Sequence, residues 1–182
     1  MAKNKVILVD SDVISHFIAT GNINRLTDIL FPHALFIVEN VYREATFHPT
    51  DSKRKQKVDE WIHNYPVCRV SFPSYNMNIF KEFYRLKKES PLLGDGERAC
   101  MSIARFGHEV ITSSNFRDVA DYCNTNGIEY IGTLDILVIA IQKGIYTEIE
   151  CNHFIAEAIR LNDARFPVVD ITRYQHRDLT EF

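Results

Sequence analysis

Residues 6–17, VILVDSDVISHF, decide how this chain is read. Val6, Ile7, Leu8 and Val9 form an unbroken aliphatic run, which fits a parallel strand covered on both faces. Two acids, Asp10 and Asp12, follow at once. Asp12 suits the N-cap of the helix that should come next, and an aspartate before a helix is more often a cap than a ligand. Asp10 is left without that role. It stands at the carboxyl end of the presumed first strand, where open α/β sheets collect their ligands.

Working outward, strand-like and helix-like stretches alternate. SDVISHFIATGNINRLTDIL places apolar residues at helical intervals and is broken near Gly21 into two short helices. ALFIV (34–38) reads as a buried strand and ENVYREATF as a helix carrying Glu44. KRKQKVDEWIHN (53–64) reads as an exposed helix with Val58, Trp61 and Ile62 inward, VCRVSF (67–72) as a strand and IFKEFYRLKKE as an amphipathic helix. GDGERACMSIARFG (94–107) is a helix with a glycine-bounded start, HEVITSS a strand, NFRDVADYCNTNG a helix closed by Gly127 and IEYIG a short strand. TLDILVIAIQKG is a nearly all-apolar helix ended by Gly144, TEIECNHFIAEAIRL is a further helix, and PVVDI is expected to close the sheet at its edge. Strands alternating with helices predict a three-layer α/β/α domain around a mostly parallel sheet.

Length and composition agree with one ordinary domain spanning residues 1–182, with 46% hydrophobic residues to build a core. A net charge of −3 lacks the broadly basic field of a protein that grips nucleic acid mainly by electrostatics. The four cysteines are far apart, without C-x-x-C or zinc-like spacing, and read as reduced thiols of a cytoplasmic protein. The N-terminus shows no signal-peptide pattern and no stretch is long enough to span a bilayer, so no membrane partner is expected.

The acids fall at strand ends. Asp10 ends the first strand, Glu44 lies about a turn beyond the second, Asp95 and Glu97 open the GDGE helix, and Asp118 follows ITSSN. In a parallel sheet all of them reach one edge, where converging carboxylates repel unless a cation neutralises them or some are protonated. All-oxygen ligation with room for water is what Mg²⁺ or Mn²⁺ prefers.

With these residues in view, the chain resembles the PIN-domain family, the metal-dependent nuclease fold that includes the VapC-like toxins of toxin–antitoxin pairs. VDSDVI is similar to the family's first motif, VYREA to the V-x-x-E of the second, GDGERACMSIA to the third, ITSSNFRDV to the fourth, and GTLDILVIAIQKGI to the helix-plus-glycine pattern that follows. These pieces cover residues 6–47 and 93–146. Carried over, the resemblance implies that Asp10, Glu44, Glu97 and Asp118 form a catalytic metal cluster with Asn115 as a polar neighbour. Asp95 is a further candidate ligand; a helix rotates about 200° over two residues, so Asp95 and Glu97 face different ways, and Glu97 is preferred. Where the family often has an acidic pair, this chain has Ser113 and Ser114.

The chemistry implied is hydrolysis of RNA phosphodiester bonds by a water activated on Mg²⁺ or Mn²⁺. Ser113, Ser114 and Asn115 are candidates to contact substrate or the ion's water shell. Lys53 and Arg54, in a basic run that is most often only a solvated helix face, are candidates for RNA phosphates, together with Arg85, Lys87 and Lys88. The resemblance implies an endoribonuclease, as a toxin with an antitoxin partner or a related RNA-processing enzyme, and suggests a homodimer. Residues 48–92 exceed what the compact toxins need and are expected as an added helical segment. Two alternatives stand beside this reading: a noncatalytic PIN-like module binding RNA or protein, and a haloacid-dehalogenase-like phosphatase suggested by D-x-D. His16, just past the acidic turn, is expected to be a satisfied, partly buried histidine. Asp135 is read as a first-turn acid favouring its helix dipole.

Overall fold

β1 (Val6–Val9) has no polar side chain and lies at the centre of a five-stranded sheet, where both of its faces are covered. It pairs in parallel with β2 (Ala34–Val38) on one side and β4 (Val110–Thr112) on the other. β3 (Val67–Val70) extends the sheet beyond β2, and β5 (Tyr130–Ile131) beyond β4, giving the order β3-β2-β1-β4-β5, all parallel. The computed structural model from which this architecture is taken describes residues 4–47 and 51–182.

The chain winds outward from β1 to β3 and then returns to the centre to lay down β4. β1 and β4 are therefore neighbours whose following helices leave in different directions, which makes their carboxyl ends the switch point of the sheet. The register pairs Val9 with Thr112, so Asp10 and Ser113 are the first residues past two adjacent strand ends.

Helices cover both faces, making the expected three-layer α/β/α domain. α1 (Ser11–Ala19) and α2 (Ile23–Leu30) are separated at Gly21, whose φ of +72° is a left-handed turn that a side chain disfavours. α3 (Glu39–Thr46) follows β2 and packs on α6 (Asp95–Phe106), the contact that brings their acids together. α7 (Phe116–Asn126) ends at Gly127 with φ +65°. α8 (Thr133–Gln142) buries every residue from Thr133 to Ala140, which explains its nearly continuous apolar sequence, and α9 (Glu148–Asn162) packs on α1.

The middle of the chain contributes α4 (Arg54–Asn64), β3 and α5 (Met77–Glu89). Its first three residues, 48–50, lie outside the described residues. The segment is not purely helical, since β3 is a strand of the central sheet. Val58 and Trp61 of α4 and Phe83 and Leu86 of α5 join the same apolar core as β1. Trp61 is 1% exposed and its indole N–H donates to Thr27 Oγ1 at 2.9 Å, so it serves packing.

PVVDI does not form the expected edge strand. Its last residue opens a short 3-10 turn, Ile171–Arg173, capped by Asp170, and the Ile171 N–H donates to Asn152 Oδ1 at 2.7 Å instead of to a neighbouring strand. A proline without an N–H opens the stretch, the Asn152 side chain takes the Ile171 N–H, and Asp170 accepts from the Thr172 N–H just beyond it. Among the described residues no helix is long and apolar enough to cross a membrane.

Candidate metal centre

Asp10 is wholly buried, an uncommon state for an ionisable side chain. Its backbone N–H donates to Thr112 Oγ1 at 3.1 Å, which ties the end of β1 to the end of β4. Its Oδ1 accepts from the Ser11 N–H at 2.7 Å. Oδ2 is buried with no hydrogen-bond partner. Asp10, in extended conformation, is thus the N-cap of α1, the role that the sequence assigned to Asp12. The helix starts one residue after the strand, not three, and so Asp12 falls in its first turn with its carboxylate free.

That carboxylate joins the cluster. One oxygen each from Asp10, Asp12 and Glu97 lie within 4.8 Å of one another. Glu97 arrives from the first turn of α6, where both its oxygens are engaged: Oε2 accepts from the Gly94 N–H at 3.1 Å, and Oε1 from Asn115 Nδ2 at 3.0 Å. Glu44 closes the group from α3. Its Oε1 accepts from the Gly96 N–H at 2.9 Å and its Oε2 from the Ser11 hydroxyl at 3.2 Å. Four acids therefore stand around the switch point, three of them (Asp10, Glu97 and Glu44) held by backbone amides, a hydroxyl and a side-chain amide.

Gly96 is required by this approach, and Gly94 leaves little room beside it. A Cβ on Gly96 would lie 2.4 Å from Glu44 Oε2, and one on Gly94 3.1 Å from Glu44 Oε1. The N-terminal end of α6 also turns its positive dipole end and free amides toward the carboxylates, which stabilises their charge.

The remaining electrostatics are unfavourable for an empty cluster. Burial pushes Asp10 well above the usual carboxylate range, and the neighbouring charges of Asp12, Glu97 and Glu44 push it further. Asp12 is raised by burial and by Glu44. Glu97 is raised by burial against the opposing effect of its Asn115 and Gly94 donors. A divalent cation fits what these residues lack. It would give Asp10 Oδ2 a partner, offset the repulsion, and draw on an all-carboxylate donor set of the kind Mg²⁺ and Mn²⁺ take.

The other residues singled out in the sequence take varied positions. Asp95 points away from the cluster, half exposed, and pairs with Arg98 at 2.6 Å, because its place two residues before Glu97 turns it to another side of the helix. Asp118 lies exposed in the first turn of α7 and is not in the group of converging oxygens. Ser113 Oγ accepts from the Asn115 N–H at 3.1 Å. Ser114 Oγ lies 2.6 Å from Thr133 Oγ1, which in turn lies 2.9 Å from His16 Nδ1. His16 is a buried, satisfied histidine, held neutral by burial with its pKa lowered to about 4. Asp135 caps α8 through the Gly132 N–H at 2.8 Å and accepts from Tyr174 Oη at 3.0 Å, so it is bound up in the fold.

Lys53 is exposed at the start of α4, but Arg54 is not a free basic group. Its side chain is 6% exposed; Nε donates to the Ala45 carbonyl at 2.6 Å and Nη2 to Ser15 Oγ. It stitches α4 to α3 and α1, and the expectation that it contacts RNA is corrected by that burial. Lys55 and Lys57 are engaged with Asp59 and Asp51.

Fold and site together define a class: a parallel α/β/α domain carrying a carboxylate cluster at its switch point. A family model described as PIN domain matches residues 6–167, and the chain belongs to that nuclease-type family. No curated protein and no solved structure matches it.

Proposed function

We propose that this chain is an endoribonuclease of the PIN type, dependent on Mg²⁺ or Mn²⁺, that hydrolyses RNA phosphodiester bonds. The observation that carries the reading is Asp10 Oδ2, buried without a partner among the oxygens of Asp12 and Glu97. Asp10, Asp12 and Glu97 would hold the ion, with Glu44 beside them. A bound ion supplies a more acidic water and a Lewis acid for charge on the phosphate. The protein's part is to orient. Asn115 and Gly94 hold Glu97, Gly96 and Ser11 hold Glu44, and Ser11 holds Asp10. Asp118, exposed at the start of α7, is left a role from outside, toward substrate or a second ion.

Lys53 and the α5 lysines Lys87 and Lys88 supply exposed positive charge for RNA phosphates. α5 leads through residues 90–93 into the GDGE turn, so its basic end is close in sequence to Glu97, which supports this reading. Arg85 is committed to Glu82 and Glu89. An antitoxin partner and pairing with a second copy rest on the family resemblance. A cytoplasmic site rests on four free cysteines. Membership of the PIN-domain family takes the place of the phosphatase alternative.

A noncatalytic, binding role is the second reading, favoured by the neutral Ser113 and Ser114 at the end of β4. Calorimetric titration with Mn²⁺ of wild type and Asp10→Asn, followed by RNA cleavage on the same samples, separates the two. Saturable binding and cleavage, both lost in the variant, support the nuclease. Binding of RNA without Mn²⁺-dependent cleavage supports the module.

A further inference from the structure

Arg98 is 5% exposed on α6, one residue after Glu97, and a buried guanidinium carries a large desolvation cost. Its Nη1 donates to Asp95 Oδ1 at 2.6 Å, and its Nη2 to the carbonyls of Pro91 at 3.0 Å and Ser90 at 3.3 Å; Nε is buried and unpartnered. Ser90 and Pro91 lie between α5 and α6 and Asp95 opens α6, so the three acceptors span the turn from its start to the first residue of the helix. The same turn presents the Gly94 N–H to Glu97 and the Gly96 N–H to Glu44. The room around those amides is small, since Gly96 admits no Cβ beside Glu44. A shift of the turn by a few tenths of an ångström would therefore carry both carboxylates with it.

We propose that Arg98, anchored by Asp95, is a positioning residue for the carboxylate centre: it fixes the 90–96 turn and so sets where Glu97 and Glu44 stand. The assignment rests on the metal-centre reading above and gives Asp95 a role in place of ligation. Partners that orient ligand side chains commonly contribute about 10- to 100-fold to metal affinity. A guanidinium is suited to the task because its planar fork holds a carboxylate and two carbonyls in fixed relative directions, whereas the three donors of an ammonium rotate about a single point.

The test is Mn²⁺ titration by calorimetry on wild type, Asp95→Asn, Arg98→Lys and Arg98→Met, with melting of the ion-free forms alongside. Arg98→Met is expected to weaken Mn²⁺ about 10- to 100-fold and Asp95→Asn about 10-fold, with Arg98→Lys between wild type and Arg98→Met. Asp95→Asn keeps an Oδ1 acceptor for Arg98 and removes no buried side chain, so it should lower the melting temperature less than Arg98→Met does and stays informative if Arg98→Met does not fold. Wild-type Mn²⁺ affinity in folded Asp95→Asn and in whichever Arg98 variants fold, whatever their melting points, would overturn the assignment and reduce Arg98 to a structural tie. If wild type itself binds no Mn²⁺ while Glu97→Gln behaves identically, the metal-centre reading falls, and this inference with it.

Discussion

At Gly96 a single added methyl group would lie 2.4 Å from Glu44 Oε2 and 3.1 Å from Val41 Cγ2. The first atom is the far end of a flexible side chain, so the fold survives Gly96→Ala while Glu44 is driven from its place. Replacing glycine in a helix also limits the unfolded chain, which favours the folded state by about 0.4–1 kcal/mol. We expect Gly96→Ala to keep or slightly raise the melting temperature and to weaken Mn²⁺ binding about 10-fold or more. Unchanged Mn²⁺ affinity in calorimetry would show that Glu44 is dispensable to the centre. The residue scale is also where sequence reading was least complete. Asp10 takes the cap expected of Asp12 while staying in the cluster, and Asp12 joins it there, because the helix begins at Ser11 and cap geometry is decided by one or two residues that a hydrophobic pattern does not resolve. Arg54 looked like its basic neighbours because a run of charges says nothing about which member turns inward.

Among the elements, α5, α6 and α7 are joined at one acid. Glu82 of α5 is 6% exposed and accepts from Arg85 on its own helix, from Arg105 of α6 and from Tyr122 of α7 at 2.7 Å. Opposed by burial, these three donors still hold its pKa down at about 2. Glu82→Ala leaves two guanidinium groups and a phenol without their shared partner. Breaking such a cluster from one side should cost about 2–3 kcal/mol, less than a fully buried pair because both arginines keep access to water. In a domain of this size that is a fall of roughly 5–10 °C in melting temperature. The sign with pH follows from the depressed pKa: the stabilisation is present above the ordinary glutamate value and is lost as pH falls through it toward about 2. A variant that melts with wild type at pH 7 would show that the helices are held by apolar packing alone. The helices and strands themselves were largely legible, since aliphatic runs and Gly21, Gly127 and Gly144 marked them; PVVDI misled because short apolar runs fit a covered turn as well as an edge strand.

Over the whole molecule, the ion-free protein carries a cost at its switch point that an ion would remove. Asp10, Asp12 and Glu97 are raised in the folded state, so their contribution is fully present below the unfolded carboxylate values and is lost as pH rises through the folded ones. His16 acts in the opposite sense, since its pKa of about 4 removes stability as pH falls from the ordinary histidine value toward 4. Comparing Asp10→Asn with wild type in chelator isolates the carboxylates. The variant should gain on wild type as pH rises from about 4 toward 8, reaching about 2–4 °C, the shift that roughly 1 kcal/mol produces at this size. Saturating Mn²⁺ should reverse the order, because an ion at 100 times its Kd stabilises wild type by about 2.7 kcal/mol. A difference that stays flat across pH would mean that Asp10 titrates as an ordinary carboxylate. The sequence by itself determined the strand–helix alternation, the parallel sheet and the collection of acids at strand ends, because periodicity and chain order are local properties. Only the tertiary structure decided that Asp12 joins Asp10 and Glu97, that Asp95 serves Arg98 and that Arg54 lies inward. Those assignments depend on the packing of α1, α3, α4 and α6 against one another, and packing sets the direction of a side chain in a way that its spacing along the chain does not.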